Sequence, residues 1–156
     1  MRLKRLLQFC GNKCSVYTVE IEKDLTRFDN FILENRNENF EELSNIAGRL
    51  KSIGNDNGAL EDFFKLNEGK PGDDICALFD RPKVYLRLYC IRLSSKILII
   101  GGGGPKTTRT WQEDTKLAKE VDFLMTVSAT IKKKMKLGDL TVSSNGLKFL
   151  GNLNIP

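Results

Sequence analysis

The stretch KILIIGGGG, Lys96 to Gly104, constrains the fold more than any other. Ile97, Leu98, Ile99 and Ile100 are apolar at successive positions, so a strand made from them has no face suited to water. It belongs in the middle of a sheet. The segment before it, KVYLRLYCIRL (Lys83 to Leu93), alternates instead. Lys83, Tyr85, Arg87, Tyr89 and Ile91 share one side, and Val84, Leu86, Leu88, Cys90 and Arg92 the other. One side is mostly apolar; the other is cationic and aromatic. Only Ser94 and Ser95 separate these two strands, and Arg81 and Pro82 separate the alternating one from ICALFD, Ile75 to Asp80. Gaps that short predict an antiparallel meander.

Upstream, CSVYTVEIE (Cys14 to Glu22) is rich in β-branched residues and reads as a strand. Asp24 is placed to cap a short helix carrying Leu25, Phe28, Phe31 and Ile32. After the polar break ENRNEN, residues Phe40, Leu43, Ile46, Ala47 and Leu50 fall on one stripe of a second helix, about residues 40–53. Residues 59–66 read as a further helical turn or two. Downstream, Thr110 and Glu113 form a T-x-x-E capping box for a long helix starting near Trp111. Its stripe is Leu117, Val121, Leu124, Ser128, Ile131 and Met135, and Gly138 ends it. Asn145-Gly146 then marks a hairpin. The expected fold is α+β: an N-terminal strand and helical hairpin packed on a small antiparallel sheet, followed by a long helix and a short C-terminal β-hairpin. The chain reads as a single domain, residues 1–156, with a core over 14–136 and a C-terminal appendage over 137–156.

Composition bounds the chemistry. The chain has no histidine, which removes a histidine base, a Ser-His-Asp triad and histidine-ligated metals. Of the cysteines Cys10, Cys14, Cys76 and Cys90, only the first two are close in sequence, so they read as reduced thiols and no metal site is expected. No apolar run reaches about 18 residues, so no membrane contact is expected. MRLKRLLQF lacks the features of a signal peptide, which points to the cytoplasm. Charge is uneven along the chain. Residues 1–80 carry 11 Lys+Arg and 15 Asp+Glu, while residues 81–136 carry 13 Lys+Arg and 4 Asp+Glu. A basic second half suits a polyanionic partner.

The glycines and the lysine after them invite comparison with a phosphate-binding loop. The motif G-x-x-x-x-G-K-[ST] fails, because Pro105 replaces the last glycine and has no N–H to offer a phosphate. The stretch suits another use. Four glycines allow the backbone to leave the strand and lie close to a ligand. Lys106, Thr107, Thr108 and Arg109 then supply phosphate partners, with Trp111 available to stack on a base. Lys83, Tyr85, Arg87 and Tyr89 would join them if the two strands share a concave surface.

The order of elements, with RLYCIRLSSKILIIGGGGPKTTRTWQED at its heart, resembles the RelE/HigB-like toxins of bacterial toxin–antitoxin pairs. The resemblance covers about residues 14–130 in element order and about 81–120 in residue type. It implies a metal-independent endoribonuclease that needs no cofactor, cleaves mRNA on the ribosome or free, and is neutralised by an antitoxin protein. The RNA 2′-hydroxyl attacks its own phosphate, and cationic side chains stabilise the transition state. Carried over, Arg87 is the phosphate clamp. Lys106 and Arg109 hold neighbouring phosphates or move a proton, and Tyr85, Tyr89 or Trp111 stacks on a base. The alternatives are a non-catalytic nucleic-acid- or protein-binding module of the same fold, and a homo-oligomer formed through the long helix.

Overall fold

A computed structural model describes residues 1–79, 85–106, 112 and 114–156. The chain forms β1 (Arg2–Arg5), β2 (Ser15–Glu22), β3 (Leu25–Thr26), α1 (Arg27–Asn35), α2 (Phe40–Ser52), β4 (Phe64–Lys65), β5 (Ile75–Leu78), β6 (Leu86–Arg92), β7 (Ile97–Pro105), α3 (Thr115–Leu137), β8 (Leu140–Val142) and β9 (Phe149–Gly151). This is the expected α+β order. The sheet runs β1-β2-β7-β6-β5-β4, with β3 paired to the far end of β2. It is antiparallel except where Ser15, Val16 and Tyr17 run parallel to Ile97, Leu98 and Ile99. It is therefore larger than expected, and mixed.

The all-apolar strand sits where its pattern places it. Leu98 and Ile100 face one layer with Val16, Leu88 and Cys90, beneath Phe31, Leu43, Ile46 and Leu50 of α1 and α2. Ile97 and Ile99 face the other with Tyr17, Tyr89 and Ile91, beneath Leu117, Val121, Leu124 and Ile131 of α3. Burying two faces instead of one is what the sequence of β7 demands, at about 1.5–3 kcal/mol for each fully buried aliphatic side chain. Leu140, Phe149 and Ile155 belong to the second layer, so the C-terminal hairpin is part of the core.

Local signals set the ends. Asp24, expected as a cap, instead occupies a turn at φ 62. Two residues on, Thr26 and Asp29 form a reciprocal capping box: Thr26 Oγ1 accepts from Asp29 N at 3.0 Å and Asp29 Oδ2 from Thr26 N at 2.9 Å. Residues 59–66 give a short 3-10 turn, Glu61–Phe63, and then β4 in place of a longer helix. Thr110 and Glu113, expected to cap the long helix, lie outside the described residues. The helix begins at Thr115, with Asp114 as its cap accepting from Leu117 N at 3.1 Å. Gly138, at φ 82, ends it as expected. Among the described residues no helix is long and apolar enough to cross a membrane.

Candidate functional site

The glycines are not a loop. They lie inside β7 and are buried, with Leu86 opposite Pro105, Arg87 opposite Gly104 and Leu88 opposite Gly103. The expectation that the backbone leaves the strand here is corrected by that pairing, which keeps the run extended. A bulge follows, since Cys90 lies opposite Ile100, leaving Gly101 and Gly102 facing Tyr89. Three of the four, Gly101, Gly102 and Gly103, admit a neighbour instead. A Cβ at Gly103 would collide with the Arg87 carbonyl oxygen, and one at Gly102 would lie 2.7 Å from Glu120 Oε2. A Cβ at Gly101 would meet the Leu124 side chain at 3.0 Å. The run thus lets α3 and the partner strand approach the backbone closely.

Arg87 is carried at the bulged end of this ribbon. It is 7% exposed, and among the described residues its Nη1 is buried without a hydrogen-bond partner. A guanidinium out of water is costly unless something anionic meets it. The strand beneath it is pinned from α2: buried Glu42 accepts from Tyr85 N at 2.9 Å and from Leu86 N at 3.1 Å. Across the ribbon, Lys106 N donates to Tyr85 O at 2.8 Å, which puts Lys106 beside the same strand end.

Charges gather here. The Lys106 pKa is lowered, first by burial and then by the neighbouring Arg87 and Lys65 cations; Glu68 opposes the shift. The Tyr89 pKa is raised, first by burial and then by Glu68, with Arg87 acting against it and Asp114 with it. Lys65 reaches Glu68 at 3.7 Å. Lys65 pairs across to Ala77 and Ala77 to Tyr89, so β4, β5 and β6 present these groups on the face that carries α3. Arg87, Lys65 and Glu68 thus act on Lys106, and Arg87, Glu68 and Asp114 on Tyr89. Such a set can hold an oxyanion and move a proton at Lys106, whose ammonium is easier to deprotonate than an ordinary one.

Of the expected site residues, Arg87 lies on β6 and Lys106 follows the end of β7 that pairs with it. Tyr85 is 47% exposed and keeps a ring surface available for stacking. Tyr89 is 2% exposed and packs with Ile91 and Val121, so it has no free face for a base; its expected stacking role is corrected to a core role. Lys83, Thr107, Thr108, Arg109 and Trp111 lie outside the described residues. Lys65 escapes the sequence reading because residues 59–66 look helical, and Glu68 because it opens a turn-rich stretch, Glu68 to Asp74; the i, i+3 pairing of opposite charges is the available signal. Glu42 escapes it because a carboxylate in the first turn of a helix ordinarily faces solvent.

The cysteines add nothing to this cluster. Cys14, Cys76 and Cys90 are buried in the first layer, and burial pushes the Cys14 thiol up to about 12. The chain matches no family model, no curated protein and no solved structure.

Proposed function

We propose that this chain is a RelE/HigB-like ribonuclease toxin that cleaves mRNA without a metal and is silenced by an antitoxin. The observation that carries this reading is the buried Arg87 guanidinium, with Nη1 unpartnered among the described residues, on the strand end to which Lys106 is hydrogen-bonded. The element order lends support: strand β2, the helix pair α1 and α2, the antiparallel run β4 to β7 and helix α3 follow the order of the family it resembles, with β1 and β3 as additional strands. In this mechanism the scissile phosphate sits against Arg87. The 2′-hydroxyl loses its proton and attacks the adjacent phosphorus. The P–O5′ bond breaks, leaving a 2′,3′-cyclic phosphate on one fragment and a 5′-hydroxyl on the other. Arg87 and Lys65 stabilise the extra negative charge of the transition state. Lys106, in its protonated form, gives its proton to the leaving oxygen, and Glu68, whose charge acts on Lys106, takes the 2′-hydroxyl proton. Tyr85 stacks on a flanking base.

The test is direct. Purified protein is mixed with single-stranded RNA in the presence of a chelator, with and without translating ribosomes. The expected products end in a cyclic phosphate, Arg87→Ala slows cleavage by about 10²–10³-fold, and a 2′-O-methyl RNA is untouched. Cleavage that survives in Arg87→Ala would sink the assignment. The lack of histidine in the chain favours one second reading, a module that holds RNA and leaves it whole; tight binding with no cleavage in either arm would establish it.

A further inference from the structure

At the opposite edge of the sheet, β1 and the C-terminal hairpin enclose a groove of about 420 Å³. Its lining includes Arg2, Lys4, Arg5 and Lys148, against a single carboxylate, Glu20. Glu20 pairs with Lys4 at 3.5 Å, an exposed contact worth little, and leaves the other three cations without an acid in the lining. Among the described residues, Arg5 Nε is buried and has no hydrogen-bond partner. Tyr17 and Phe149 form the floor. Their rings pack edge-on at 5.0 Å, and the Tyr17 hydroxyl accepts from Phe149 N at 3.0 Å, so the floor is rigid and the hydroxyl engaged.

We infer that this groove is a second binding site for the phosphodiester backbone of single-stranded RNA. Three surplus cations on a concave wall match closely spaced phosphates, and one of them, Arg5, has an Nε without a partner among the described residues. The groove does not belong to the Arg87 cluster. Neighbouring strands β1, β2, β7 and β6 set the two about 14 Å apart across the sheet. Arg5 aligns with Tyr17, Ile99 and Ile91, four residues from Arg87 on β6, which adds about 13 Å along the strands. One RNA strand of several nucleotides spans that distance. The identification of this RNA as a substrate rests on the ribonuclease reading; the binding site itself does not.

The experiment measures binding of a fluorescent single-stranded 2′-O-methyl RNA, which 2′-hydroxyl attack cannot cut, over a series of salt concentrations. The paired variant Arg5→Ala/Lys148→Ala is expected to bind several-fold more weakly. The slope of log affinity against log salt should shrink by about 1.4, or about 0.7 for each phosphate that is no longer neutralised. Arg2→Ala/Lys148→Ala, at two exposed positions, serves if Arg5→Ala disturbs folding. Arg87→Met is measured alone and combined with each pair. At about 20 Å separation the losses should add. Wild-type affinity and slope in both groove pairs would overturn the proposal, as would an oligoglutamate peptide binding the groove as tightly as the RNA. If groove variants lose affinity and wild-type protein cuts no RNA, the groove stands and the ribonuclease reading falls. If cleavage depends on Arg87 but the groove variants bind normally, the reverse holds.

Discussion

Arg87 illustrates a conflict between stability and use at the level of one side chain. An unmet donor in a buried position costs about 1–3 kcal/mol. Arg87→Met keeps the length and removes the charge, so the variant should unfold at the same or higher urea concentration, by about 1 kcal/mol, while losing RNA affinity and cleavage. A clear drop in stability would mean the guanidinium is held by the fold rather than held ready for a ligand. Lys106 makes a prediction with a definite sign. Its folded pKa lies below the ordinary lysine value, so at lower pH its proton is bound more readily by the unfolded chain. That contribution to stability should therefore grow as pH climbs from the lowered value to the ordinary one, partly offsetting the alkaline loss that buried Cys14, Tyr17 and Tyr89, with raised pKa values, impose; Lys106→Ala should make the alkaline loss steeper in urea titrations. Cleavage, which needs the ammonium, should decline over the same interval, earlier than a free lysine would allow.

The elements show which parts of the structure can be read from residue order. The two-sided burial of β7, the helix pair, the stop at Gly138 and the hairpin around Asn145 and Gly146 all follow from short-range pattern, because each depends on neighbours a few residues apart. The parallel contact of β2 with β7 joins residues about eighty positions apart, and no local pattern encodes it. β1 escapes the pattern because RLKR alternates too briefly to stand out, and it forms by pairing with β2. The glycine run is ambiguous in composition alone. Its residues signal close approach, and only the register reveals that the approaching groups are the Arg87 backbone, Glu120 and Leu124 instead of a ligand. That register gives a prediction. Gly103→Ala should destabilise strongly or prevent folding, since its Cβ would meet backbone on the paired strand. Gly104→Ala, whose Cβ would meet Lys116 carbons at 3.4 Å or more, should change stability by less than about 1 kcal/mol. Thermal unfolding of the two variants separates these outcomes.

At the scale of the whole molecule, charge is arranged differently from the way it runs along the chain. The basic half supplies Arg87 and Lys106, but the second cationic surface draws on Arg2, Lys4, Arg5 and Lys148, which lie outside it. Folding thus gathers cations from both ends of a chain whose first eighty residues are acidic on balance. Those ends meet: Ile155 N donates to Met1 O at 2.7 Å, Leu3 N to Leu153 O at 2.9 Å, and Arg2 lies opposite Asn154. A short glycine–serine bridge could therefore join residue 156 to residue 1 with little loop-closure entropy. New termini cut at the exposed Pro71-Gly72 turn should leave a circular permutant with native circular dichroism and native RNA affinity. The topology of residues 1–156 would then be tied to contacts across the sheet rather than to the peptide bond between residues 71 and 72.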